Sequence, residues 1–210
     1  MSNLLLKRFL KNPGRIGAVV PSGTALCRMM LSDLDLEHAA AVAELGPGTG
    51  VFTREIMNHI GGETRFFAVE LDPVIYGELR RKMPEAVIYN ESAEHLDALC
   101  REHGIGALDA VVSGLPWAVF PAVLQENILR AVLRALKPGG RFSTFAYLQG
   151  MALPAGRRFR KMLEKHFDSV TLSPVVWNNF PPAVVYRCGK TPGPEEGTKG
   201  REKCYEHENQ

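Results

Sequence analysis

"VAELGPGTGVFTREI", residues 42–56, begins as an apolar run, breaks at three glycines two residues apart, and resumes with a helical pattern. Gly46, Gly48 and Gly50 let a backbone turn sharply after a strand and approach a ligand closely. The helix expected from about Thr53 presents free N–H groups at its start, so the loop reads as a nucleotide-type cradle. Its spacing is GxGxG, and Val51 stands where the dinucleotide fingerprint places its last glycine, which argues against NAD or FAD. A glycine cluster alone also fits a plain tight turn. The next apolar run, "FFAVELD" at 66–72, decides between the two. It ends in Glu70, at the sheet edge where α/β folds bind ligands and where a carboxylate can accept hydrogen bonds from both ribose hydroxyls.

Working outward, apolar runs recur at "AAAVAEL" (39–45), "TRFFAVEL" (64–71), "EAVIY" (85–89), "LDAVVSGL" (108–115) and "GRFSTFAYL" (140–148). Helical stretches separate them, such as 53–60, 73–83 and 125–136. Strand, helix and strand in series predict a parallel sheet with helices on both faces. "SVTLSPVVW" (169–177) and "AVVYRCG" (183–189) are joined only by "NNFPP", too short for a crossover helix. They are expected to pair antiparallel, with a reversed strand at the sheet edge.

A chain of 210 residues, 45% apolar and 23% charged, can bury one full core. The organisation read from it is an N-terminal basic amphipathic segment (1–32), one α/β domain (33–190) and a tail (191–210). The tail, rich in Pro, Gly and charge, is read as disordered. No run approaches the roughly 20 apolar residues of a spanning helix, and "MSNLLLKRFLKN" lacks the long apolar centre of a secretory signal, so a cytoplasmic location is expected. Cys27, Cys100, Cys188 and Cys204 form neither a CxxC pair nor a Cys/His cluster, which points to reduced thiols and no metal site. The first 32 residues carry Lys7, Arg8, Lys11, Arg15 and Arg28 and no acid, so the rest of the chain holds −3 of the +2 total.

"ELGPGTG", "VELDP", "NESAEHL", "VVSGLPW" and "LKPGGRFSTFAY", in that order, resemble the motifs of class I S-adenosylmethionine-dependent methyltransferases over about residues 41–188. The resemblance implies a Rossmann-like, seven-stranded, mostly parallel sheet whose last strand is antiparallel, with S-adenosylmethionine as cofactor. It carries Gly46, Gly48, Thr49 and Gly50 to the methionine part of the cofactor, Glu70 and Leu71 to its ribose, and Glu44 to its amino group. Ser92 and Ala93 would border the adenine, and Ser113 would close the pocket at the end of the fourth strand.

"SGLPW", together with "FLKNPGRIGAVVPSG" before the core and "NNFPPAVVYR" after it, is similar to bacterial phospholipid N-methyltransferases, which methylate phosphatidylethanolamine. The same core is shared with ribosomal RNA adenine dimethyltransferases, whose fourth strand typically ends in Asn-Leu-Pro-Tyr. Here Ser113 and Gly114 precede Leu115-Pro116, and Trp117 takes the aromatic place. A flipped adenine needs a hydrogen-bonding group there, and an RNA enzyme needs a broad basic surface, whereas the core is net acidic. Nucleic acid is therefore the weaker alternative, beside a small-molecule methyltransferase and a non-catalytic cofactor-binding or membrane-docking module. No obligate protein partner is evident.

Methyl transfer to an amine is an in-line displacement that needs alignment and a neutral nucleophile, and no metal. Ser113 and Tyr147 are the candidates to orient the amine. Trp117, Phe120 and Trp177 are candidate aromatic faces for it as it becomes cationic, and Arg187 for the lipid phosphate. On a helical wheel Leu5, Leu6, Phe9 and Leu10 oppose Lys7, Arg8, Lys11 and Arg15, a pattern that lies in an anionic interface and predicts a protein peripheral to the inner face of the membrane. The same helix packed on the core with solvated cations is the other reading.

Overall fold

The computed structural model describes residues 21–191. Its elements in chain order are α1 (Pro21–Leu31), β1 (Ala41–Leu45), α2 (Val51–His59), β2 (Arg65–Val69), α3 (Pro73–Lys82), β3 (Ile88–Tyr89), α4 (Leu96–Glu102), β4 (Leu108–Ser113), α5 (Ala122–Ala135), β5 (Leu136–Tyr147), α6 (Leu148–Met151), α7 (Pro154–His166), β6 (Ser169–Leu172) and β7 (Ala183–Gly189). The strands form one sheet in the order β3-β2-β1-β4-β5-β7-β6. The first five strands in that order are parallel, and β7 runs antiparallel to both β5 and β6.

All five residues of β1 are buried, as an apolar strand covered on both faces requires. On one face Phe142, Tyr186 and Val111 meet Leu96, Leu129 and Phe159 from α4, α5 and α7. On the other, Val42, Val112 and Val185 meet Met30 of α1 and Ile56 of α2. The boundary read after residue 32 thus falls just behind a helix whose Leu26, Met30 and Leu31 belong to the domain's core. Cys27, Cys100 and Cys188 are free and buried. Among the described residues no helix is long and apolar enough to cross a membrane. The basic residues Lys7, Arg8, Lys11 and Arg15 and the tail after 191 lie outside the described residues.

One expectation is corrected. The reversed strand is not at the edge: β7 is inserted between β5 and β6, and β6 forms the border. Burial explains the order, because β7 is apolar and buried along most of its length whereas β6 is largely exposed. "SVTLSPVVW" also breaks as a strand after Leu172; Ser173 stays bonded to Val185, and a bridge from Val176 to Ala183 follows.

The strand order reverses between β1 and β4, both of which leave the sheet at the same level, with Leu45 opposite Val69 and Ser113. A crevice beyond the strand ends follows from that reversal, because the connections after β1 and β4 diverge to opposite faces.

Candidate functional site

The loop after β1 fills that crevice. Gly46 N donates to Val69 O (3.0 Å) and Gly114 N donates to Leu45 O (2.8 Å), so the loop is fastened to the strands on either side. The three glycines divide the work. Gly46 and Gly50 hold left-handed backbone, at φ +72° and +84°, and a Cβ on either would also press on a leucine tip, 2.7 Å from Leu115 Cδ2 and 2.5 Å from Leu79 Cδ1. Gly48, at φ +56°, has no atom within 4 Å of that position and borders open space. That space is a cavity of about 170 Å³.

Glu70, the residue after β2, forms its polar wall. One carboxylate oxygen accepts from Gly48 N (3.3 Å) and the other from Asp72 N (2.9 Å). Burial pushes its carboxyl above the usual range, and these N–H bonds offset only part of that rise. Asp72 in turn caps α3 by accepting from Val74 N and Ile75 N, with Pro73 in the first turn. Asn90, which sequence reasoning missed, donates from Nδ2 to the carbonyls of Glu70 (2.8 Å) and Leu71 (3.2 Å) and locks this turn. Leu71, Ile75, Ser92 and Ala93 continue the wall, and Leu115, Pro116, Phe120 and Leu124 close the opposite side with apolar surface. An acceptor carboxylate beside apolar walls and a side-chain-free floor fits an adenosine-type ligand such as S-adenosylmethionine.

Glu44 stands behind the loop, fully buried, with Oε2 accepting from Thr53 Oγ1 at 2.7 Å. Its Oε1 has no partner among the described residues, which leaves one carboxyl oxygen unengaged under the cradle. Burial pushes the Glu44 carboxyl from 4.5 to about 8; the Thr53 bond pulls it down and the Glu70 charge pushes it further up. The folded protein therefore keeps a proton that the unfolded chain gives up near its ordinary value. Stability from this group is greatest below that value and falls as pH rises toward about 8. Glu44→Gln is expected to flatten the decline of the cofactor-free melting temperature across this window. An unchanged slope in the variant would assign the decline to another group.

Of the residues singled out from sequence, Gly46, Gly48, Glu70, Leu71, Ser92, Ala93 and Phe120 line the cavity. Glu44, Thr49, Gly50, Ser113, Trp117, Tyr147, Trp177 and Arg187 do not. Ser113 is fully buried, and its Oγ accepts from Trp117 Nε1 (3.1 Å) and Leu115 N (3.4 Å), which makes it a brace for the turn after β4. Trp117 is only 2% exposed and stacks on Phe159 at 4.9 Å, so neither ring face is free. Tyr147 ends β5, half-buried against Phe145. Trp177, 69% exposed, lies in the loop before β7.

Arg187 is carried away from the cavity because β7 runs backward, and four residues after Ala183 it is opposite Ser143. There it pairs with Asp33 (3.0 Å) and donates to Ser32 Oγ (2.8 Å). These contacts lie beside a larger hollow of about 300 Å³ between Met30, Asp33 and β5, β6 and β7. Its other cations are also engaged, Arg141 on Asp33 O and Lys190 on the carbonyls of Leu133 and Leu136. The glycine cavity is thus the candidate site.

Comparisons with known proteins show what the chain is similar to. Residues 42–140 match a family model described as a methyltransferase domain. The chain is 30% identical over 190 residues to the ornithine lipid N-methyltransferase of Singulisphaera acidiphila, covering 88% of this chain and 94% of that one. It is 27% identical over 156 residues to a protein-L-isoaspartate O-methyltransferase of Vibrio parahaemolyticus, covering 72% and 64%. In fold it is similar to the N-methyltransferase NodS of Bradyrhizobium japonicum solved with S-adenosyl-L-homocysteine, with a TM-score of 0.63 at 15% identity over 90% and 98% of the two chains.

Proposed function

The chain belongs to the class I S-adenosylmethionine-dependent methyltransferases, and we propose that it methylates the amine headgroup of a membrane phospholipid, phosphatidylethanolamine, towards phosphatidylcholine. The observation that carries this reading is the 30% identity, over nearly the whole of both chains, to an enzyme named for N-methylation of an amine-bearing lipid. The resemblance of the stretch around "SGLPW" to bacterial phospholipid N-methyltransferases is what points to phosphatidylethanolamine as the amine, and the named relative sets ornithine lipid beside it as the alternative. The same reading makes the protein peripheral to the inner face of the cytoplasmic membrane, with Lys7, Arg8, Lys11 and Arg15 meeting anionic headgroups.

When bound, S-adenosylmethionine supplies an electrophilic methyl group on a sulfonium sulfur. The chain's part is to hold that group and bring a neutral amine into line with it. Glu70 would hold the ribose of the nucleoside end, and the Gly48 floor would lie beneath the methionine part. The apolar side chains of Leu115, Pro116, Phe120 and Leu124 keep water from the other wall, and desolvation lowers an amine's pKa, which favours the unprotonated nucleophile. The proton leaves to water or a neighbouring base. Tyr147 stands three residues past Thr144, the register partner of Ser113, and so projects beyond the end of β4. It lies outside the cavity lining, and its proposed part is to orient the incoming amine as a hydrogen-bonding group rather than as a base, because burial raises its hydroxyl's pKa.

The RNA alternative draws no support from the strand end. Gly114 offers no side chain to grip an adenine edge, and the aromatic Trp117 is closed off by Phe159. Incubating the full chain with methyl-labelled S-adenosylmethionine and, in separate reactions, total bacterial lipid and total RNA tests the proposal. Label is expected in the lipid phase, in the amine-headgroup fraction. Label confined to RNA would overturn it.

A further inference from the structure

Large apolar side chains are unevenly exposed on this protein. Val119 and Val123 follow β4, Leu148 and Leu153 follow β5, and Trp177 and Phe180 precede β7. Because β7 starts opposite the end of β5, with Ala183 beside Tyr147, all six belong to loops or helix starts at the cavity edge of the sheet. Trp177 is 69% exposed, Phe180 78% and Val123 72%, values at which soluble proteins seldom keep several large apolar side chains together. The loops are also tied to one another. Leu148 N donates to Pro182 O at 2.8 Å, and Trp117 stacks on Phe159, which fastens the turn after β4 to α7.

Charge on this edge points to the occupant. Residues 115–124, 147–158 and 174–182 contain no aspartate or glutamate. Arg157 and Arg158, in the first turns of α7, are exposed and have no acidic partner among the described residues. The start of α1 is here as well, with Gly23 against Val51, the first residue of α2. Apolar tips, exposed aromatics and cations in these three acid-free loops match the layers of an anionic bilayer surface, while the acids of the same edge, Glu70, Asp72 and Glu91, follow β2 and β3 on the other side of the cavity.

We propose that the loops after β4 and β5 and before β7 form the face on which the protein rests on an anionic bilayer. Trp177, Phe180, Leu153 and Val123 enter the interface, and Arg157 and Arg158 meet lipid phosphates. The inference rests on the lipid-substrate reading and adds to it: a lipid amine need rise only a short way from the membrane to reach the cavity beside this face.

The chain's only tryptophans are Trp117, buried, and Trp177, exposed, so Trp177 reports on this face without any substitution. Full-length protein is mixed with vesicles of phosphatidylethanolamine and phosphatidylglycerol, with and without brominated acyl chains. The expected result is emission shifted to shorter wavelength, quenched by the brominated chains and shielded from acrylamide. Phe180→Ser with Leu153→Ser should weaken vesicle binding by about tenfold or more even at high salt, while sparing methylation of a short-chain soluble phosphatidylethanolamine. Arg157→Gln with Arg158→Gln should remove part of the salt-sensitive binding.

Vesicle-bound protein whose Trp177 stays as open to acrylamide as in solution would overturn the docking face, and so would failure to bind vesicles. A spectral shift that appears on raising protein concentration without lipid would instead assign the face to a second copy of the chain. The substrate reading is tested separately. Vesicle docking without methylation of any lipid amine, short-chain included, would reject that reading and leave the docking face standing.

Discussion

Gly114→Ala is expected to weaken S-adenosylmethionine binding by about tenfold or more and to destabilise the fold by about 1–3 kcal/mol. A Cβ at this position would lie 2.6 Å from the carbonyl oxygen of Gly46, with Leu45 O also within 4 Å. Both neighbours are backbone, so no flexible side chain can swing aside. The glycine loop must retreat by about 0.8 Å to restore ordinary contact, and Gly46 is fastened to Val69 on its other side. The displacement therefore falls on the floor of the cavity. Calorimetric titration together with thermal unfolding checks this, and wild-type affinity in a folded variant would show that the floor does not need this close approach.

Glu70→Ala is expected to cost about 1–3 kcal/mol of cofactor affinity, or roughly 5- to 150-fold in dissociation constant, with cooperative unfolding retained. Removing the carboxylate leaves the N–H groups of Gly48 and Asp72 without their acceptor, one of them in the floor and the other at the cap of α3. It also removes the acceptor that the family resemblance assigns to the ribose. Glu70→Gln keeps one acceptor oxygen and should lose less. Unchanged affinity in Glu70→Ala would move the nucleoside end of the ligand elsewhere in the cavity.

Much of this arrangement was legible in the residues because backbone requirements leave plain marks. A buried strand reads as a continuous apolar run, and a loop that must pass close beneath a ligand reads as spaced glycines. Glu70 was legible for the same reason, as an acid closing an apolar strand. Side chains that serve the core are harder to tell from those that serve the site. Ser113 and Trp117 follow a strand end, as active-site residues do, but Trp117 finds a stacking partner in Phe159, far away in sequence, and then holds Ser113 by its indole N–H. Arg187 was misleading because its strand runs backward, which takes it down the sheet to Asp33. Gly114 was noticed only as the lack of a polar side chain, when its role is to let two backbones touch. No local pattern announces that role; it depends on what two distant loops do together.

Headgroup mass analysis after reaction on vesicles containing a single amine lipid tests the central claim most directly. Purified full-length protein and S-adenosylmethionine are incubated with vesicles of phosphatidylethanolamine in an anionic carrier, and in parallel with ornithine lipid in the same carrier. The lipid reading predicts methylated phosphatidylethanolamine formed faster than any ornithine lipid product, and its loss in the Glu70→Ala protein at limiting cofactor. Methylation of ornithine lipid with none of phosphatidylethanolamine would contradict the substrate assignment, and the absence of product from both would contradict the proposal that the enzyme acts on lipid amines.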